Sequence, residues 1–210
     1  MAALSASPAT GDPILLWNSV ALEANRISHT NGAQEQVGPP RSARALAIVH
    51  LAMYDAFAGV VNDPVGYPPY LPLPAVAPGA SVDAAVAAAA HGTLTALFPS
   101  QSSYFDLVLA AAGNPADPSH AFGVAVAQAI LADRAADPSA DSSGHVPSTA
   151  RGRHRVDPDN PTQGFHAAFY GARSKGFAIS QRWELAAPPL DNNEYREALR
   201  ACDAWASPRS

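Results

Sequence analysis

The run from Pro39 to Val61, PPRSARALAIVHLAMYDAFAGVV, constrains the fold of this chain more than any other stretch. Apolar residues recur there at the helical period, and a proline in the first turn of a helix is tolerated, so the run predicts one long helix. A helix that is apolar over most of its circumference belongs in the middle of a bundle. The expected buried face consists of Leu46, Val49, Met53, Ala56, Phe57 and Val60. Polar residues on the other side need partners inside the fold, because an unpaired buried charge is costly. They are Arg44, His50, Tyr54 and Asp55.

The other periodic stretches predict an all-α fold, a helical bundle of about six helices. One helix should begin after Asp12-Pro13, with Asp12 as its cap, and end near His29. Three more should span residues 81–98, 101–112 and 117–135, with Ser100 capping the second of these. The last helix should start at Asn192.

Four of the other predicted helices have an expected inner face, derived from the same periodicity. The four faces are Ile14, Leu15, Trp17, Val20 and Leu22; Tyr104, Leu107, Val108 and Ala111; Phe122, Val126 and Ile130; and Tyr195, Leu199, Cys202 and Trp205.

Residues 136–191 form an irregular segment that is too long for an ordinary loop. Prolines interrupt every periodic pattern in it, yet it is rich in aromatic side chains, which disordered linkers avoid. We therefore expect a belt that packs on the surface of a larger body. The predicted organisation is a disordered N-terminus over residues 1–11, a helical bundle over 12–135, this belt, and a truncated C-terminal helix over 192–210.

Composition excludes several classes of function. The formal net charge is −5 and no basic patch occurs, so a nucleic-acid partner is not expected. Cys202 is the only cysteine, so an intrachain disulfide cannot form. No basic region followed by a long apolar run opens the chain, so no classical signal peptide is expected, and the localisation stays unknown. Every long apolar stretch has polar interruptions, so we expect no membrane span.

Four stretches resemble the bacterial and algal vanadium-dependent haloperoxidases, which share their helical fold with a class of acid phosphatases. They are DPILLWNSVALEANRISHT, PPRSARALAIVHLAMYDAF, HRVDPDNPTQGFHAAFYGARSKGFAI and LAAPPLDNNEYREALRACDAWA, in the order expected. The resemblance covers nearly the whole chain but corresponds to the N-terminal half of the family. It implies vanadate as the cofactor of the family, bound by a C-terminal half that should lie beyond Ser210.

The family's vanadate site, as the resemblance implies, combines Lys-x6-Arg-Pro, Pro-Ser-x-His and Arg-x5-His motifs. Cations and hydrogen-bond donors of this kind hold a trianionic oxyanion, and histidine supplies the axial ligand and the acid–base group. The chain contains partial look-alikes in reversed order: Arg44 with His50, Ser143 with His145, and Lys175 with Arg182. Because each pattern fixes only two or three residues, chance matches are expected. We therefore predict no catalytic, cofactor or metal residues in this chain.

The remaining polar residues are expected to have structural roles. His50 and Tyr54, four residues apart on a helix, are expected to pair with each other, and His91 is expected to lie in the core. Arg44 and Asp55 should bond to neighbouring elements. The sequence DPDN, residues 157–160, predicts a turn rather than a cation site, because Asp, Asn and Pro are the usual turn residues.

The leading hypothesis is the N-terminal structural half of a vanadium-dependent haloperoxidase, inactive alone and unable to hold vanadate by itself. Its expected partner is the C-terminal catalytic half or an equivalent subunit, and homo-oligomers are possible. One alternative is a non-catalytic helical interaction module that docks onto a separate catalytic partner. The other is a relative of the acid phosphatases.

Overall fold

The protein is all-α. The computed structural model describes residues 12–137, 146–150, 153–161, 174–179, 181, 190 and 192–206, and within these it contains helices and no strands. The chain divides into two compact units, Met1–Ala140 and Asp141–Ser210.

Within the described residues, the first unit contains five α-helices and the second contains one. They are α1 (Pro13–Ser28), α2 (Pro39–Val61), α3 (Val82–Leu97), α4 (Ser102–Ala112) and α5 (Pro118–Asp133) in the first unit, and α6 (Asn193–Ala206) in the second. A 3-10 turn, Pro99–Gln101, leads into α4. These bounds confirm the predicted helices to within about two residues, the usual uncertainty of helix ends, except at the end of the last helix, where residues 207–210 lie outside the described residues.

Short polar side chains define where several helices begin. The Asp12 carboxylate accepts a hydrogen bond from the Ile14 N–H at 2.8 Å, with Pro13 in the first turn. Asn192 caps α6 in the same way, because its side-chain oxygen accepts from the Tyr195 N–H at 2.7 Å. These contacts satisfy N–H groups that have no partner inside the helix.

The expected Ser100 cap is wrong. Ser100 lies inside the 3-10 turn, and both its N–H and its hydroxyl donate to the Glu35 carboxylate, at 2.6 and 2.8 Å. Glu35 lies in the loop before α2, so Ser100 donates to a residue distant in sequence, and no side chain caps α4.

The most buried helix is α3, not α2 as the sequence predicted. Its residues Ala84 to Ala90 are all buried, and α3 packs against α1, α2, α4 and α5. Alanine side chains keep a helix thin, so neighbouring helices can approach it from several sides. The bulkier α2 takes a flanking position against α1, α3 and α5.

The buried face of α2 also differs from the predicted one. Leu46, Phe57 and Val60 are only half-buried. The buried residues are Ala45, Ile48, Val49, Ala52, Met53, Asp55, Ala56 and Ala58. By length and composition alone, α2 is also long and apolar enough to cross a membrane. The buried core helices of soluble proteins meet the same two criteria. The absence of a membrane span therefore stays a prediction.

The predicted face of α1 is confirmed only in part, since Trp17 and Val20 are buried, and the predicted face of α4 is wrong. Leu15 on α1 is 65% exposed and Leu107 on α4 is 70% exposed, and Leu22 and Tyr104 are exposed too. On α4 the buried residues are instead Phe105 and Leu109. The prediction for α5 is confirmed, since Phe122, Val126 and Ile130 are all buried.

The second unit confirms one local prediction. The sequence DPDN forms a turn, in which Asp157 accepts from the Asp159 N–H at 2.9 Å and from the Asn160 side chain at 3.0 Å. The Asn160 hydrogen bond holds the pKa of Asp157 below its ordinary value. The described residues of the predicted belt lie in turns and irregular backbone, and the rest of the belt falls outside the described residues.

Candidate functional site

Arg44, the first candidate residue, belongs to a buried cluster that joins α2 to the end of α5. Its Nε donates to Asp137 Oδ2 at 2.6 Å, and its Nη2 donates to the Arg134 carbonyl at 2.8 Å. Arg134 Nε donates to the same Asp137 oxygen at 2.9 Å, and its side chain is only 1% exposed. One carboxylate thus lies between two guanidinium groups. The expectation that Arg44 bonds to a neighbouring element is confirmed.

His50 faces α1 instead. Its Nδ1 donates to the Leu46 carbonyl at 2.8 Å, and its Nε2 lies 3.0 Å from the side-chain amide oxygen of Asn18. The Tyr54 hydroxyl donates to the Pro68 carbonyl at 2.9 Å. The predicted pairing of His50 with Tyr54 is therefore wrong, because each ring finds a partner on another segment.

The structure does not bring Arg44 and His50 together. Six residues of α-helix separate them by a rise of about 9 Å and place them on different sides of the axis. Lys175 is exposed and belongs to the second unit. Ser143, His145 and Arg182 lie outside the described residues, so the prediction that these six residues form no site stays a prediction.

The described residues of the first unit do not fit vanadate. An oxyanion with several negative charges needs unengaged cations that converge on it. Arg44 and Arg134 converge on Asp137, so one carboxylate already occupies the point between them, and the half-buried Arg41 donates to the Glu35 carbonyl. Within the described part of the chain, no group of three or more His, Cys, Asp or Glu side chains could hold a metal ion.

His91 is not the core histidine that the sequence predicted. It lies between α3 and α4, where its Nε2 is 2.7 Å from Asp106 Oδ1. The carboxylate side chain is 67% exposed. The alanines of α3 fill the interior, and the larger imidazole reaches the edge of the helix, where a partner on α4 is available.

Asp55 is the buried carboxylate of α2, and its partners confirm the expectation that it bonds to another segment. Its two oxygens accept the backbone N–H groups of Tyr70, at 2.6 Å, and Leu71, at 3.1 Å. Burial raises the pKa of Asp55 above its ordinary value, and the two N–H groups offset part of that rise. A single side chain thereby fixes the path of the proline-rich segment after α2.

That segment forms one wall of a groove of about 720 Å³, which we name the proline groove. The groove is lined by residues 58–60, 62, 64, 67, 69 and 73–80, with the end of α2 as its other wall. The groove was not predicted from the sequence. The sequence feature that relates to the groove is the series of prolines between residues 64 and 78. These prolines indicate an irregular segment, but they do not show which part of the protein that segment packs on.

Comparison with known proteins agrees with this helical arrangement. The family model described as the vanadium chloroperoxidase N-terminal domain matches residues 10–167. Vanadium chloroperoxidase from Curvularia inaequalis is 32% identical over 248 aligned residues, which cover 91% of this chain and 40% of that protein. The chain thus spans well under half the length of this relative. Because both matches extend over most of this chain, the chain belongs to the vanadium chloroperoxidase N-terminal domain family.

Proposed function

We propose that this chain is the helical scaffold of a vanadium-dependent haloperoxidase, and that vanadate is bound outside these 210 residues. The observation that carries the proposal is the Arg44–Asp137–Arg134 cluster. In this cluster the Asp137 carboxylate accepts from both Arg44 and Arg134, so both guanidinium groups bind a carboxylate of the fold rather than an oxyanion. The family match supplies the class of enzyme.

The proposed activity of the complete enzyme is the peroxide-dependent oxidation of halide. In that enzyme the present chain contributes packing, through α3 and the helices around it. The apolar residues Leu199 and Cys202 on α6 are exposed, and we propose that the catalytic half covers them.

The test is a halogenation assay on the purified 210-residue chain with vanadate, bromide and hydrogen peroxide. We expect no bromination of a phenolic indicator above the rate without protein. Turnover that His50→Ala abolishes would overturn the scaffold proposal, because it would place the chemistry on α2.

The same assays on a chain extended past Ser210 separate the two alternatives. Hydrolysis of p-nitrophenyl phosphate by an extended chain that lacks halogenation activity would favour a relative of the acid phosphatases. A monodisperse, cooperatively melting chain that shows neither activity in any extended form would favour a non-catalytic interaction module.

A further inference from the structure

The loop between α1 and α2 is tied to the end of α3 by side-chain hydrogen bonds. Asn31 Nδ2 donates to Ser100 Oγ at 3.1 Å, and Gln36 Nε2 donates to the Leu97 carbonyl at 2.9 Å. The Ser100 hydroxyl in turn donates to the carboxylate of Glu35, another loop residue, at 2.8 Å. Ser100 therefore binds the loop twice, as the acceptor for Asn31 and as the donor to Glu35.

Asn31 is followed by Gly32, and no other asparagine in the chain precedes a glycine. Both residues are exposed, and a Cβ placed at Gly32 would have no neighbouring atom within 4 Å. The φ angle of Gly32 is +81°, in the left-handed region where glycine has no steric penalty. The backbone at this pair is therefore unobstructed and can rotate.

Two hydrogen-bonding features favour attack of the Gly32 nitrogen on the Asn31 side chain. The Gly32 N–H makes no hydrogen bond within the part of the chain that the structure describes, so removing its proton breaks no contact of the fold. Asn31 Oδ1 accepts from the Ala33 N–H at 2.9 Å. An N–H at that distance stabilises the negative charge that develops on a carboxamide oxygen when a nucleophile attacks its carbon.

We propose that Asn31 is a site of spontaneous deamidation. The Gly32 nitrogen loses its proton to hydroxide and forms a bond to Asn31 Cγ, and the bond between Cγ and Nδ2 breaks. The side-chain nitrogen takes a proton from water and leaves as ammonia. Water then opens the resulting succinimide at either of its carbonyl groups, which leaves an aspartate or an isoaspartate at position 31.

Deamidation removes one of the hydrogen bonds that hold the loop. A carboxylate has no hydrogen to donate, and the single hydrogen of the Ser100 hydroxyl already goes to Glu35. The new negative charge at position 31 also lies across that hydroxyl from the Glu35 carboxylate, and like charges repel. We therefore expect the modified loop to detach from Ser100 more readily. This inference does not depend on the scaffold proposal, because it concerns residues 31–36 and 97–100 alone.

The test is incubation of the purified 210-residue chain at mildly alkaline pH, followed by peptide mapping with mass spectrometry. We expect the Asn31 peptide to gain the mass of an amide-to-acid conversion, with isoaspartate among the products and a rate that rises with pH. Asn62, an exposed asparagine followed by Asp63, is the internal control and should convert about tenfold more slowly, because the residue after it carries a Cβ. Conversion of Asn31 no faster than that of Asn62 would overturn the proposal.

Further variants separate the reaction from its effect on the loop. Asn31→Gln keeps a carboxamide but lengthens the side chain, so the same ring cannot form and conversion at position 31 should become undetectable over the same incubation. Asn31→Asp reproduces the charge of the product and should lower the melting temperature by about 2–4 °C, through the loss of one hydrogen bond.

Asn114→Asp is the matched control for charge, because it changes an exposed asparagine that precedes Pro115, and it should melt like the original chain. Conversion that persists in Asn31→Gln would contradict the proposed reaction. Equal melting temperatures for Asn31→Asp and Asn114→Asp would contradict the proposed release of the loop.

Discussion

Replacing Asp137 by alanine tests the energetic role of the buried cluster. The Asp137 side chain is 4% exposed and accepts from the Nε atoms of Arg44 and Arg134 at 2.6 and 2.9 Å. Removing one partner from a buried ion pair costs about 3–5 kcal/mol, because the remaining charge loses its counter-ion without regaining water. For a chain of this size each kcal/mol lowers the melting temperature by about 2–4 °C. Asp137→Ala should therefore melt about 6–20 °C lower than the original chain.

The assay is thermal unfolding followed by circular dichroism, with the free energy of unfolding measured in urea. Asp106→Ala is the control, because it removes an aspartate whose partner is also on a neighbouring helix but whose side chain is exposed. An exposed pair contributes at most about 1 kcal/mol, so the control should melt within about 4 °C of the original chain. A loss for Asp137→Ala no larger than that of the control would refute the claim that the cluster stabilises the fold.

Two further substitutions test local packing and charge. Because burial raises the pKa of Asp55, its contribution to stability is largest below about pH 4 and is lost as the pH rises through its folded-state pKa. In urea unfolding, the original chain should therefore lose stability relative to Asp55→Asn between acid and neutral pH. A difference between the two chains that does not change with pH would contradict this. At Gly123 on α5 a Cβ would overlap the Ala85 carbonyl, so Gly123→Ala should cost about 1–3 kcal/mol or more. At Gly92 a Cβ would meet only the Ala127 side chain, at 2.9 Å, so Gly92→Ala should lower the free energy of unfolding by less than Gly123→Ala does. A larger loss for Gly92→Ala in urea unfolding would contradict the described packing of α3 on α5.

The positions of the helices were predictable because their signals are local. Asp12, Asp117 and Asn192 cap the helices that follow them, with a proline in the first turn of the first two. Each signal involves residues within one turn of each other, so no knowledge of the rest of the fold is needed.

The inner faces were less predictable, because a periodic pattern shows how many apolar residues share a side but not what covers them. Leu107 satisfies the helical period on α4 yet is exposed, while Phe105 is buried. On α3 nearly every position is apolar, so periodicity cannot select a face, and the deep burial of that helix follows from the small size of its alanines.

The polar partners could not be predicted at all. Asp137 lies 93 residues from Arg44 along the chain, and Asn18 lies 32 residues from His50. No spacing rule connects residues so distant, and the i,i+4 rule favoured the wrong partner for His50. The proline groove was missed for the same reason, since its two walls meet only in the folded chain.

Vanadate retention by the isolated chain distinguishes a scaffold from a chain that binds vanadate itself. The purified protein would be dialysed to equilibrium against vanadate and its vanadium content measured per chain. We expect no retention above that of a protein without a vanadate site, since Arg44 and Arg134 already bind Asp137. One vanadate retained per chain, and lost on His50→Ala or Arg44→Ala, would contradict the scaffold proposal and would show that the helical unit binds the oxyanion.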